Sequence, residues 1–168
     1  MMRYQVMALS SEMTGAMTIG SIAWQRGGSS GSETGYYNNF QLYIGLASSD
    51  QLSNSFVDNY IPGTRTLVYE TPTQTMSAAP DQWMTISLDT PFWYNGTDNL
   101  VVELIWAGGS NMFFTYKWNT GANRALENDS DIYAPTGVLS QSMSELMFDG
   151  PLALTPYSFG AIKALWME

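Results

Sequence analysis

The sequence predicts an all-β protein: an antiparallel two-sheet β-sandwich with a jelly-roll-like layout. Three observations carry that prediction. Residues 91–106 set a polar turn, Asn95 to Asn99, between two hydrophobic segments, and the second of these, Leu100 to Trp106, has Glu103 as its single charge. β-Branched and large apolar residues entered from turn residues mark a central strand buried on much of both faces. Residues 37–47 alternate, with Phe40, Leu42, Ile44 and Leu46 on one face and Asn39, Gln41, Tyr43 and Gly45 on the other. Turn signals recur about every ten residues, and no long helix is indicated.

Taken in order, Arg3 to Leu9 is a first strand. Ser10 to Met13 makes one helical turn that Gly15 ends. Met17 to Gln25 is a strand rich in Ile, Ala and Trp. Gly27 to Gly35 is an exposed Gly/Ser loop. After the alternating strand, Ser49 to Phe56 reads as a short capped helix or wide loop. Thr64 to Glu70 is a strand, continued by Thr73 to Ser77 after Pro72. Trp83 to Asp89 alternates again, with Met84, Ile86 and Leu88 inward and Trp83, Thr85 and Ser87 outward. Leu100 to Trp106 and Met112 to Trp118 read as a hairpin closed by Gly108-Gly109-Ser110. Asn119 to Gly137 is a polar connection holding a short strand near Arg124-Ala125-Leu126. Ser142 to Phe148 and Tyr157 to Trp166 are the last strands. The expected total is nine to eleven strands. The Gly-Pro step at Gly150-Pro151 divides a module of residues 1–149 from a C-terminal segment, 150–168.

Composition narrows the function. A chain of 168 residues buries roughly 70% of its unfolded surface in one domain. With 45% of residues hydrophobic, a packed core is available. Only 12% are charged, about half the usual share, so Ser, Thr, Asn, Gln, Gly and Tyr must build the surface. Such a surface suits an extracellular or cell-surface protein. The net charge of −9 and six basic residues exclude a phosphate-tracking patch, so nucleic acid and anionic membranes are poor partners. No apolar run approaches the ~18 residues of a membrane span. The start lacks the apolar run of a signal peptide, which predicts a removed leader or an origin inside a longer precursor. Cysteine and histidine are absent, which excludes disulfides, thiolate catalysis, His-based triads and the common zinc sites. The eleven methionines read as core filler.

Several segments together resemble a β-sandwich module of large secreted and cell-surface bacterial proteins. They are Ala8 to Met13, Ile19 to Trp24, Tyr37 to Phe40, Trp83 to Leu88, Pro91 to Glu103 and Asn123 to Leu126. The resemblance covers roughly residues 3–148. It implies an adhesive or scaffolding role and brings no catalytic residues. The segment from Pro151 lies outside it.

No enzyme is predicted. Without histidine, acid–base work would fall to carboxylates, and the one acid in a confident strand, Glu103, reads as a residue pointing to the solvent side or making a loop-end hydrogen bond. Glu127, Asp129 and Asp131 offer the hard oxygens of a calcium loop, but the EF-hand spacing is missing, so a solvated acidic loop is the plainer reading and no cofactor is otherwise expected. Asn95-Gly96-Thr97 and Asn128-Asp129-Ser130 match the glycosylation pattern and read as turns. Among the aromatics, Trp83 and Tyr43 fall on polar strand faces and suit sugar stacking if one sheet carries both. In the C-terminal strand, Phe159 and Leu165 share one face, Ile162 and Trp166 the other. A detached apolar strand can close its own sheet or be donated to a neighbour. The expected function is therefore a non-catalytic structural subunit. It would assemble with identical subunits into a fibre, sheath or adhesive layer through that strand and the first strand, with Tyr4 and Val6. The alternative is a carbohydrate-binding module that takes a polysaccharide on exposed Trp and Tyr.

Overall fold

The computed structural model describes residues 1–28, 33–110 and 113–149. Among them are twelve β-strands, one 3₁₀ turn at Ser10–Glu12 and no α-helix. The strands are β1 (Met2–Ala8), β2 (Met17–Gln25), β3 (Glu33–Ala47), β4 (Thr66–Ala78), β5 (Trp83–Tyr94), β6 (Asn99–Trp106), β7 (Gly108–Ser110), β8 (Lys117–Asn119), β9 (Ala125–Asn128), β10 (Val138–Ser140), β11 (Ser142–Ser144) and β12 (Leu146–Asp149). All pairings are antiparallel. A seven-stranded sheet runs β10-β9-β1-β6-β3-β4, with β7 also on β3. A three-stranded sheet runs β12-β2-β5, and β11 pairs with β8.

The segment Leu100 to Trp106 is central, as its composition requires. Its neighbours are β1 and β3, not a hairpin partner at Met112 to Trp118. The expected Gly-Gly-Ser turn is instead β7, which continues along β3 with Tyr36 opposite Ser110. A Cβ on Gly109 would stand 2.0 Å from the Tyr36 carbonyl oxygen, so only glycine admits this close approach. Pairing that local patterns do not encode settles two open readings and changes a third. Ser49 to Phe56 is a loop, part of the connection 48–65. β4 passes straight through Pro72, which an edge strand tolerates because the missing N–H faces no partner. The expected strand Ser142 to Phe148 is broken at Glu145, so β11 joins β8 while β12 joins β2.

The main core draws from both larger sheets. Val6, Phe40, Leu42, Ile44, Leu100 and Val102 from the seven-stranded sheet pack in one cluster with Ile19, Ile22, Trp24 and Ile86 from the three-stranded one. The other face of the seven-stranded sheet is also covered at one end. There Met7, Val101 and Leu126 meet Leu52, Phe56 and Tyr60 of the connection 48–65. Both faces of β6 are thus buried, which explains its nearly uninterrupted apolar run.

β1 corrects one expectation outright. One of its edges is bonded to β6, from Met2 to Ala8, and the other to β9, from Arg3 to Val6. Tyr4 and Val6 are buried mid-sheet. A strand with both edges filled inside its own chain has none left for a neighbour. The strand with Phe159, Ile162, Leu165 and Trp166 lies outside the described residues.

Candidate functional site

Strand register brings side chains into rows on the face of the seven-stranded sheet turned away from the main core. Gln5 of β1 and Tyr43 of β3 stand directly opposite Glu103 of β6, one on each side. One row along, Met7, Val101 and Gly45 line up. A Cβ on Gly45 would come within 2.5 Å of the Tyr60 ring, so the missing side chain is what lets Tyr60 lie against the sheet. Its hydroxyl then donates to Glu103 Oε2 at 2.8 Å.

Glu103 is therefore not on a solvent side. It is fully buried and accepts from four donors: Arg3 Nε to Oε1 at 2.7 Å, and Tyr60, Arg65 Nε at 2.9 Å and Gln5 Nε2 at 3.3 Å to Oε2. A carboxylate cannot be buried without such partners. Burial by itself pushes the Glu103 carboxyl upward. The Arg65 hydrogen bond, the charges of Arg65 and Arg3 and the Tyr60 hydroxyl outweigh it and hold the pKa below the ordinary value. The same contact acts in reverse on Tyr60, where burial and then the Glu103 charge push the phenol well up. Gln5 extends the cluster into the loop. Its Nε2 donates to the Phe56 carbonyl and its Oε1 accepts from Asn59 Nδ2, each at 2.9 Å.

On the opposite side of this cluster from the loop, the face opens into a groove of about 760 Å³. Its floor is a row crossing four strands: Arg3, Ile105, Gln41 and Glu70 are successive partners in register. Tyr133 stands at its rim, 85% exposed. The backbone around Tyr133 is nonetheless pinned. Its N–H donates to Asp131 Oδ1 at 2.8 Å, the Ala134 N–H donates to the Asp131 carbonyl at 3.3 Å, and the Ala134 carbonyl accepts from Arg3 Nη1 at 3.1 Å. Arg65 also lines the groove, with its guanidinium 3.5 Å above the Tyr43 ring.

The remaining expected site residues are dispersed. Trp83 is on the three-stranded sheet and Tyr43 on the seven-stranded one, so the shared aromatic platform does not exist. One face of Tyr43 is moreover covered by Arg65. Among the described residues, no group of three carboxylates that could hold a metal ion includes Glu127, Asp129 and Asp131. Asn128 Oδ1 instead accepts the N–H groups of Ser130 and Asp131, an Asx turn that shapes the loop. Sequence reading missed Arg3, Gln5, Tyr60, Arg65 and Tyr133. A signal was present for the arginines: a lone carboxylate in an apolar strand demands a cation, and the chain has only six.

A second opening, of about 740 Å³, is apolar and lies where both large sheets contribute side chains, Trp24 from one and Leu104 and Trp106 from the other, with Tyr37 and Phe113. Tyr37 and Trp106 meet edge to face at 5.1 Å.

Fold and cluster thus define an all-β antiparallel protein with a buried carboxylate bound by two arginines. Compared with known families, with curated proteins and with solved structures, the chain matches none.

Proposed function

We propose that this chain is a non-catalytic structural module of the cell exterior, a two-sheet sandwich of jelly-roll-like layout that associates with copies of itself through its C-terminal segment. One observation carries the reading: among the described residues, the three-stranded sheet has an unfilled edge where that segment begins. β12 covers only Ser21 to Trp24 of β2, so Met17 to Gly20 have no strand partner on that side among the described residues. The chain passes from Asp149, the last residue of β12, directly into residues 150–168. A strand donated by a neighbour completes this edge through main-chain hydrogen bonds, and its apolar side chains find pockets between the sheets. The aromatic-lined opening beside Trp24 offers such a pocket for Ile162 or Trp166.

A structural and not a catalytic part for Glu103 is supported by its cluster. A general base needs a lone pair facing substrate, and Glu103 is fully buried with each oxygen held by an arginine. The low-charge, Tyr-rich surface supports the extracellular setting.

The test is deletion of residues 151–168. The full chain is expected to form particles larger than its 18.6 kDa mass, with a regular repeat in negative-stain electron microscopy. The truncated chain should melt cooperatively and scatter as a monomer. Assembly that survives truncation, or a full chain that stays monomeric, overturns the reading.

A further inference from the structure

The geometry points to a second, independent site: the groove between Tyr133 and Arg65 binds a neutral polysaccharide chain, with a sugar ring against Tyr133 and hydroxyls on Arg65, Gln41 and Glu70. The size is appropriate, since about 760 Å³ falls within the roughly 300–1,000 Å³ of small-ligand sites. The chemistry is more telling. Vicinal sugar hydroxyls both donate and accept, so a glycan site needs donors beside acceptors.

Donors come from Arg65. Its Nε is committed to Glu103, and no hydrogen bond holds Nη1 or Nη2 among the described residues. The stack on Tyr43 and the bond to Glu103 fix the plane of that fork, so little ordering cost remains on binding. Acceptors come from Glu70, an exposed carboxylate whose side chain takes, among the described residues, a single long hydrogen bond, 3.4 Å from Gln41 Nε2. Gln41 supplies both kinds and is itself oriented by the Tyr43 hydroxyl, which donates to its Oε1 at 3.2 Å.

Tyr133 completes the arrangement. An aromatic ring 85% exposed to water gains nothing for folding. Its backbone is nevertheless pinned on both sides through Asp131 and Arg3. A held backbone presenting a bare apolar ring face at a polar groove is what stacking on a pyranose requires.

Charge selects the neutral class. The groove and its buried neighbour hold two arginines against two glutamates, Glu70 and Glu103, and the whole chain carries −9. A polyanionic glycan would approach against that field.

Isothermal titration calorimetry of the full chain with cellohexaose, xylohexaose, mannohexaose and an oligogalacturonate tests the site, whether or not the chain assembles. At least one neutral hexasaccharide should bind. Tyr133→Ala and Glu70→Gln should each weaken it about tenfold or more, with melting temperatures unchanged because both side chains are exposed. Trp83→Ala, on the other sheet, should bind as the parent does. No heat with any neutral sugar overturns the proposal. So does binding of oligogalacturonate alone, or binding that survives Tyr133→Ala and fails in Trp83→Ala.

Discussion

Glu103 sits where a charge is most costly, in a central strand buried on both faces. Its pairing with Arg3 and Arg65 resolves that cost and creates a dependence. Glu103→Gln keeps the shape but leaves two part-buried guanidinium groups without an anion. Breaking such a pair costs about 3 kcal/mol, or roughly 6–12 °C in melting temperature for a domain of this size. The pH dependence follows from the depressed carboxyl. A group whose folded pKa lies below its unfolded value stabilises the fold fully above the unfolded value, near 4.3 for glutamate, and that contribution is lost as pH falls through the folded value. Thermal melts between about pH 7 and pH 3 should therefore show an acid limb in the parent and a shallower one in Glu103→Gln. Equal slopes would mean that Glu103 titrates alike in both states. Glu12, held down against burial by its pairing with Arg124, gives the variant a residual limb of the same sign. The sequence showed the carboxylate and its apolar strand. It did not show the sense of the side chain, because a strand buried on both faces has no polar side for a charge to mark.

At the scale of elements, strands were legible and their partners were not. Alternation in Phe40, Leu42, Ile44 and in Met84, Ile86 records which face is buried, and that survives in a single sequence. Pairing depends on chain-distant contacts, so the nearest turn at Gly108 suggested a hairpin where the real neighbours of β6 come from β1 and β3. The connection 48–65 was ambiguous for a related reason: its order comes from outside itself. Gln5, on β1, bonds Phe56 and Asn59, and Asn59 Oδ1 accepts the Ser53 N–H at 2.7 Å. Gln5→Ala removes that post and strands buried polar groups at about 1–3 kcal/mol. Hydrogen exchange should then accelerate about 10–100-fold at the Ser53 and Phe56 amides, while β6 amides keep their protection. Uniform acceleration across β6 as well would show that the loop and sheet unfold as one unit. The candidate groove illustrates the same limit. Tyr43 was visible from its strand pattern, but Arg65 and Tyr133 reach it from loops whose destination only the fold supplies.

The whole molecule carries −9, and that charge separates the two functional proposals by sign. Copies that associate through an apolar C-terminal strand must bring two like-charged bodies together. Their repulsion weakens as salt shortens the Debye length, from about 20 Å at 20 mM to about 4 Å at 500 mM. Assembly should therefore begin at lower protein concentration in high salt, and light scattering across a salt series measures that threshold. A neutral glycan in the Tyr133 groove feels no net field, so its Kd should hold within about twofold over the same range. The reverse pattern has a definite meaning. Assembly that dissolves in high salt would place the contact between opposite charges, such as the acidic loop at Glu127 to Asp131 and a basic residue of the next copy, and would remove the apolar strand from the interface. Glycan binding that weakens with salt would place a charge on the ligand and reassign the Arg65 fork to a carboxylate. Each proposal thus has its own salt signature, measurable on the same preparation of the full chain.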